Sequence, residues 1–133
     1  SDVYKRQDII HYTGFLSAEK LAKKLTEVNA VVIPSSIENA PNSLAEGEIV
    51  GTPTIATYVG GNMDMLEHNK DGFLYCYNEP NMLAEYLSQI FESDDLANCL
   101  SEHARATARK RHDPDTLEKT ILGIYDSLIL KNK

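Results

Sequence analysis

Short runs of β-branched and apolar residues alternate with helical patterns in the first half of the chain, and these runs are predicted strands. They are Ile9–Tyr12, Ala30–Ile33, Thr54–Thr57 and Phe73–Tyr77. Ala30–Ile33 is apolar on both faces, as expected for a strand in the middle of a parallel sheet. Because strands that alternate with helices form βαβ units, the pattern predicts an α/β fold with a parallel sheet.

The connections between these runs carry helical signals. Ser17 can cap a first helix, whose apolar positions repeat at helical spacing as far as Val28. Pro41–Val50 is the second predicted helix, since proline suits the first helical position. A short helix around Met63–Glu67 is predicted to follow the loop at Gly60–Gly61. The second helix is just long enough to cross from one strand to the next.

From about Asn81 onward the chain is predicted to be helical, and its apolar stripes are predicted to be core. The stripes are Met82, Leu83, Tyr86, Leu87, Ile90 and Phe91, then Leu96, Leu100, Ala104 and Ala108, then Leu117, Ile121, Leu122, Tyr125, Leu128 and Ile129. Asp113 and Pro114 fit the N-cap and first position of the last helix.

Composition fits one globular domain, with 133 residues, of which 42% are hydrophobic and 25% charged. A net charge of −7 argues against nucleic acid or an anionic membrane as a partner of this domain. Cys76 and Cys99 are too few for a disulfide scaffold or metal site, and their apolar contexts predict buried free thiols. No apolar run approaches the ~20 residues of a membrane span and no signal peptide is visible, so the cytoplasm is the default location.

The stretch Pro34–Pro53, between the second and third predicted strands, holds the residues best suited to bind a ligand. Open α/β sheets bind ligands at the carboxyl ends of their strands. If a helix begins at Pro41, the amide groups of residues 42 to 44 have no intrahelical partner and favour an anion such as phosphate. Glu38 and Glu46 each suit a vicinal diol, because a carboxylate accepts hydrogen bonds at two oxygens. Diols beside a phosphate describe a sugar nucleotide.

This stretch resembles the E-x7-E signature of retaining GT-B glycosyltransferases of family 4 type, the glycosyl transferases group 1. The matching residues are Pro34, Ser35, Glu38, Pro41, Asn42, Leu44, Glu46, Gly51 and Pro53. Three further segments resemble the family's strand-end and glycine-loop patterns, and they are Tyr12–Leu16, Val59–Asp64 and Asp71–Leu74. The resemblance covers about residues 8 to 130.

The resemblance implies that residues 8–133 are the partial, Rossmann-like C-terminal domain of a GT-B protein. The implied reaction is retaining transfer of a sugar from a nucleotide-diphosphate sugar to an acceptor hydroxyl, with no metal or other cofactor, in bacterial surface polysaccharide or glycoconjugate synthesis. The acceptor domain and the Arg and Lys that neutralise the diphosphate would lie in a missing N-terminal part, so this fragment is expected to be inactive alone. Peripheral association with the inner face of the membrane through that missing domain stays open.

Specific residues take roles by the same resemblance. Glu38 is implied to contact the transferred sugar near the reacting carbon, which makes it the candidate catalytic residue, and Glu46 to hold the ribose hydroxyls. The remaining candidates for donor binding are Asn39, Ala40, Asn42, Ser43, Leu44, Gly14, Phe15, Leu16, Gly60 and Gly61. Structural alternatives remain: Glu38 could cap the helix that follows it, Glu46 could be a solvated helix carboxylate, and Asp64 could cap the short helix after it.

Two positions depart from the family pattern, and one short motif admits another interpretation. Glu48 lies on the apolar side of its helix, where Met is common, and could face a neighbouring helix end or the missing part of the protein. Gly47 replaces the usual alanine and would weaken the helix by about 1 kcal/mol. Asp113–Asp115 spells D-x-D, a metal motif of another glycosyltransferase architecture, but helix capping is the favoured interpretation.

Two alternative functions and the origin of residues 1–7 remain open. The chain could be a nucleotide-free Rossmann-like interaction module in which the glutamates are surface decoration. It could also belong to another GT-B enzyme, such as a sugar-nucleotide epimerase. Residues 1–7 resemble a translated sequencing-library adapter and are expected to be a non-native or disordered start, with a natural loop as the alternative.

Overall fold

The computed structural model describes residues 9–131, and its framework is a three-stranded parallel sheet. Strand β1 (Val31–Ile33) pairs with β2 (Thr54–Thr57), which pairs with β3 (Phe73–Tyr75). This confirms the predicted α/β fold. The central strand is β2, which is buried along its whole length, whereas β1 lies at an edge and is half-buried at Val31 and Val32. The prediction that β1 occupies the middle of the sheet is therefore wrong for the described residues.

Helices connect and follow these strands. Those within residues 9–131 are α1 (Ala18–Glu27), α2 (Asn42–Val50), α3 (Asn62–Met65), α4 (Pro80–Glu92), α5 (Asp94–Arg111) and α6 (Pro114–Lys131). Ser17 caps α1, because its hydroxyl accepts a hydrogen bond from the Lys20 amide at 3.5 Å. Asp113 caps α6 as predicted, accepting from the Thr116 amide at 2.9 Å. The Thr116 hydroxyl also donates to this carboxylate, and the hydroxyl first and the amide second lower the pKa of the Asp113 carboxyl.

The core lies on both faces of the sheet. Successive residues of a strand point to opposite faces, so Ile55 and Ala56 of β2 belong to different clusters. The cluster towards α2 and α3 consists of Ile33, Leu44, Ala45, Ala56, Met65, Leu66 and Leu74. The cluster towards α4 and α5 contains Ile55, Phe73, Tyr75, Ile90 and Leu100. This two-sided burial is what a parallel sheet in an α/β domain requires.

Helix α5 packs along α2 and secures its C-terminal end. Gly51 ends α2 in a left-handed conformation, with φ +86°, and its amide donates to the carbonyl groups of Gly47 and Glu48. The guanidinium of Arg105 donates to the Val50 carbonyl at 2.7 Å, and the Ser101 hydroxyl donates to the Gly51 carbonyl. The carbonyl groups left free at a helix end thus find partners on a second helix.

The beginning of the described chain departs from the predicted pattern. Ile9–Tyr12 forms no strand, because no strand of the described residues lies beside it, and Ile9, Ile10 and Tyr12 are exposed. Residues 1–7 lie outside the described part of the chain. Both thiols are exposed, so the prediction that Cys76 and Cys99 are buried is wrong.

The last helix also departs from prediction. Its stripe of large apolar residues is 43–62% exposed, and the residues concerned are Leu117, Ile121, Leu122, Tyr125, Leu128 and Ile129. In α4, Phe91 is 61% exposed and Met82 is 38% exposed, whereas Ile90 is buried. The stripe on α5 is confirmed, since Leu100, Ala104 and Ala108 are buried. Across residues 9–131, no helix combines the length and apolar character needed to cross a membrane.

Candidate functional site

Two loops interlock at the carboxyl end of the sheet. One follows β1 and contains Glu38 to Ala40, and the other follows β2 and contains Gly60 and Gly61. A Cβ atom at Gly60 would lie 1.8 Å from the carbonyl oxygen of Glu38, and one at Gly61 would lie 1.6 Å from that of Asn39. Only glycine allows the two backbones to approach this closely. The structure therefore brings together two segments that sequence analysis selected separately.

The Glu38 carboxylate is held within its own loop. It accepts a hydrogen bond from the Ser35 hydroxyl at 3.1 Å and another from the adjacent Asn39 amide at 3.2 Å. Among the described residues, no α2 amide donates to it, so the alternative in which Glu38 caps α2 is wrong. The side chain is half-buried, and its orientation is set from the β1 side of the loop.

The N-terminus of α2 offers fewer free amides than predicted. Pro41 is the N-cap, with extended backbone angles of φ −71° and ψ 127°, rather than the first helical residue. The Leu44 amide donates to the Pro41 carbonyl at 3.1 Å, so that amide is already paired. Within residues 9–131, the amides of Asn42 and Ser43 have no hydrogen-bond acceptor, and both residues are exposed. Two amides at the positive end of a nine-residue helix remain available to an anion.

Glu46 lies further along α2 and is exposed. It borders a groove of about 140 Å³ between α1 and α2, whose other lining residues are Leu21, Ala22, Leu25, Ile49 and Val50. Ile49 is 39% exposed and shares this groove. The Glu46 carboxylate thus has an apolar wall on one side and solvent on the other.

The structure does not join the Gly14 corner to these loops. Gly14 has φ +64°, Phe15 is fully exposed and Leu16 is half-buried. No hydrogen bond among the described residues connects this corner with the Glu38 loop. Asp64 lies inside α3 rather than before a helix, so the expected cap is wrong, and Gly61 occupies the N-cap position.

Two buried polar residues beneath the site were not predicted from the sequence. The Thr57 hydroxyl donates to the Ser35 carbonyl at 2.6 Å, and the Asn62 side-chain amide donates to the Thr57 carbonyl at 2.9 Å. Both side chains are completely buried. In the sequence, Thr57 is a polar residue at the end of a buried strand, and Asn62 is a polar residue just after a glycine pair. Neither position alone indicates a role, because only the fold brings the two side chains together.

Behind the site, Glu48 is completely buried and forms an ion pair with Arg111. Of the two expected surroundings, the neighbouring helix end is confirmed, since Arg111 is the last residue of α5. Burial raises the pKa of Glu48 to about 7, although Arg111 acts in the opposite direction. Arg111 also donates to the Met65 carbonyl at 2.6 Å, so one guanidinium connects α2 with α3. No cluster of potential metal ligands occurs within residues 9–131.

A parallel sheet whose first two strand-end loops interlock beside a helix N-terminus is a Rossmann-like arrangement. The chain belongs to the family described as glycosyl transferases group 1, whose model matches residues 2–107.

Curated relatives are longer than this chain. It is 27% identical over 121 residues to 2-deoxystreptamine N-acetyl-D-glucosaminyltransferase of Niallia circulans, which covers 91% of this chain and 31% of that protein. It is 26% identical over 118 residues to WcaL of Escherichia coli (strain K12), a glycosyltransferase named for colanic acid biosynthesis, with 83% and 28% covered. The chain thus spans under a third of the length of either relative.

Solved structures share the fold. Sucrose-phosphate synthase of Thermosynechococcus elongatus superposes with a TM-score of 0.88 at 24% identity, covering 98% of this chain and 33% of that one. Anabaena Alr3699/HepE in complex with UDP-glucose superposes with a TM-score of 0.83 at 24% identity, covering 91% and 33%.

Proposed function

We propose that this chain is the donor-binding part of a retaining glycosyltransferase, which transfers a sugar from a nucleotide-diphosphate sugar to an acceptor hydroxyl. The observation that carries the proposal is the interlock of Gly60–Gly61 with the backbone of the Glu38 loop, which carries a half-buried carboxylate and leads into the free amides of Asn42 and Ser43. A carboxylate suits sugar hydroxyls, and free amides suit a diphosphate. A structure of Anabaena HepE holds UDP-glucose on the same fold.

Each part of the proposed site has one task. Glu38 contacts the transferred sugar near the reacting carbon, and Glu46 holds the ribose hydroxyls. The amides at the start of α2 stabilise the charge that develops on the leaving diphosphate, without a metal ion. Elsewhere in the protein, an Arg and a Lys complete that stabilisation, and the nucleophile is the acceptor hydroxyl.

The biological setting forms part of the same proposal. The family resemblance and the relative named for colanic acid biosynthesis support a role in bacterial surface polysaccharide or glycoconjugate synthesis. Sugar nucleotides are cytoplasmic compounds, so we place the reaction in the cytoplasm, with any association at the inner face of the membrane made through another domain of the protein. Fractionation of cells that carry the tagged full-length protein tests this location.

Calorimetric titration of the chain tests donor binding. The ligands are UDP-glucose, UDP-N-acetylglucosamine and GDP-mannose, each compared with its free nucleotide. We expect Glu38→Gln to weaken binding of the sugar nucleotide alone, and Glu46→Gln to weaken binding of both. Glu102→Gln, on an exposed face of α5, is the control and should change neither. No binding of any of these ligands by the full-length protein, which also carries the Arg and the Lys, would overturn the proposal.

The stereochemical part needs the whole enzyme. Proton NMR of the first product formed by the full-length protein shows whether the anomeric configuration of the donor is kept. An inverted product would contradict the retaining mechanism while leaving donor binding intact.

A further inference from the structure

A chain of hydrogen bonds runs from the second loop of the site to the Glu38 carboxylate. The Asn62 side-chain amide donates to the carbonyl of Thr57 at 2.9 Å and to its hydroxyl at 3.3 Å. The Thr57 hydroxyl donates to the Ser35 carbonyl at 2.6 Å. The Ser35 hydroxyl in turn donates to a Glu38 carboxylate oxygen at 3.1 Å. The series crosses from α3 through the end of β2 to the loop after β1.

The donors in this series follow one direction. Because the Thr57 hydroxyl has a single proton, its short bond to the Ser35 carbonyl leaves the oxygen free to accept from Asn62. The opposite order is excluded, since a carbonyl cannot donate. Thr57 and Asn62 are completely buried, so water cannot replace either of them without opening the core. The buried Thr57 hydroxyl thus fixes the position of the Ser35 carbonyl from the interior of the domain.

We propose that Thr57 and Asn62 are positioning residues for Glu38, acting through Ser35. This inference rests on the proposed function, in which Glu38 contacts the transferred sugar. The buried pair holds the Ser35 backbone, and the Ser35 hydroxyl then holds the Glu38 carboxylate, in the loop whose backbone interlocks with the glycine pair. The two loops are joined twice, by backbone contact at the surface and by this network underneath.

Alternative side chains show what the network requires. A valine at position 57 keeps the shape of threonine but removes the hydroxyl, which leaves the Ser35 carbonyl without its side-chain donor. A serine keeps the hydroxyl and loses only a methyl group. Thr57→Val and Thr57→Ser are therefore a matched pair that separates positioning from packing. Ser35→Ala removes the last bond of the series at a half-buried surface position, where folding is not at risk.

A ligand-free measurement reports the orientation of Glu38. The Asn39 amide donates to the second carboxylate oxygen of Glu38 at 3.2 Å, so its hydrogen exchange depends on where that carboxylate lies. We expect faster exchange at Asn39 in Thr57→Val and Ser35→Ala, and wild-type exchange in Thr57→Ser. Ser36→Ala, at the exposed neighbouring position, is the control. Unchanged exchange at Asn39 in both of the first two variants would overturn the inference.

Ligand binding supplies the second measurement. Free UDP lacks the sugar that Glu38 contacts, so misplacing Glu38 should weaken UDP-glucose binding by about 3- to 10-fold and leave UDP binding within about twofold. General damage to the domain would weaken both ligands together. In a Glu38→Gln background, Thr57→Val should have no further effect on the affinity for UDP-glucose, because the two act in series.

The outcomes separate this inference from the proposed function. If Glu38→Gln leaves UDP-glucose binding unchanged, the role of Glu38 in the proposed function fails, whatever Asn39 exchange shows. If Glu38→Gln weakens UDP-glucose binding but Thr57→Val does not, the proposed function stands and the positioning role is refuted. Equal loss of UDP and UDP-glucose affinity in Thr57→Val also refutes positioning, because it indicates a structural role alone.

Discussion

Replacing Glu48 by glutamine should remove the decline in this domain's stability that Glu48 causes as the pH rises from about 4.5 to about 7. Glu48 is completely buried, and one of its carboxylate oxygens has no hydrogen-bond partner. The groups that face it are Arg111 from α5, which favours ionisation, and Asp71 after α3, which opposes it. Burial outweighs the Arg111 pairing and raises the pKa of Glu48 to about 7.

The sign follows from proton binding. Folded protein keeps the Glu48 proton up to about pH 7, whereas the unfolded chain loses it near its ordinary pKa of 4.5. Between these values the folded state binds more protons, so the free energy of unfolding falls as the pH rises. The rise in pKa from 4.5 to about 7 corresponds to about 3 kcal/mol, since one pKa unit is worth about 1.4 kcal/mol.

Urea unfolding at a series of pH values between about 4 and 8 measures this effect. The stability of Glu48→Gln relative to wild type should increase by about 3 kcal/mol from the acid end to the alkaline end. Comparing slopes cancels any fixed cost of the glutamine, and the raised pKa of Asp71 contributes to both proteins. Glu102→Gln, at an exposed position on α5, should run parallel to wild type.

Parallel curves for Glu48→Gln and wild type would refute the reasoning. A relative stability that falls as the pH rises would show that Arg111 dominates and that the folded-state pKa lies below 4.5. The second result would make the pair an ordinary stabilising ion pair, whereas parallel curves would mean that the cost of burial and the attraction of Arg111 cancel.

Three further predictions concern packing and exposure. Gly61→Ala should destabilise the domain by about 2 kcal/mol or more in thermal unfolding and abolish sugar-nucleotide binding, because the added Cβ would clash with the Asn39 carbonyl. Gly123→Ala in α6, where a Cβ meets no other atom, should instead stabilise the domain by about 1 kcal/mol. Both thiols should react with a thiol reagent in the native chain, and protection of either would contradict their exposure. Leu100→Ala should cost about 2–5 kcal/mol in urea unfolding and Ile121→Ala under about 1 kcal/mol, with similar losses contradicting the observed burial.

The strands around the site were predictable because their patterns are local. Thr54–Thr57 was found at its observed boundaries, since proline precedes it and a polar loop follows. Glu38 and the glycine pair could be expected near each other, because loops after adjacent parallel strands share one edge of the sheet. Their interlock is a backbone distance, and no residue pattern encodes it. Ile9–Tyr12 shows the limit: β propensity needs a neighbouring strand to act on.

Burial was predictable where an apolar stripe meets another element of the chain, and not elsewhere. Leu100 of α5 is buried because it packs in the core cluster that contains Ile55 of β2. Ile121 of α6 lies in a stripe of the same helical periodicity but is exposed. Periodicity shows that one face of a helix is apolar but does not show what covers that face. The partner of Glu48 was equally hidden, because Arg111 lies 63 positions away in sequence.

The position of Arg111 also determines how the domain can be shortened. The family model ends its match at residue 107, while the guanidinium that joins α2 to α3 belongs to residue 111. A protein expressed from the matched segment alone would retain the buried Glu48 and lose Arg111, the residue that pairs with it. A shortened version of this domain should therefore end beyond α5, because the Arg111 side chain lies outside the segment that the family model matches.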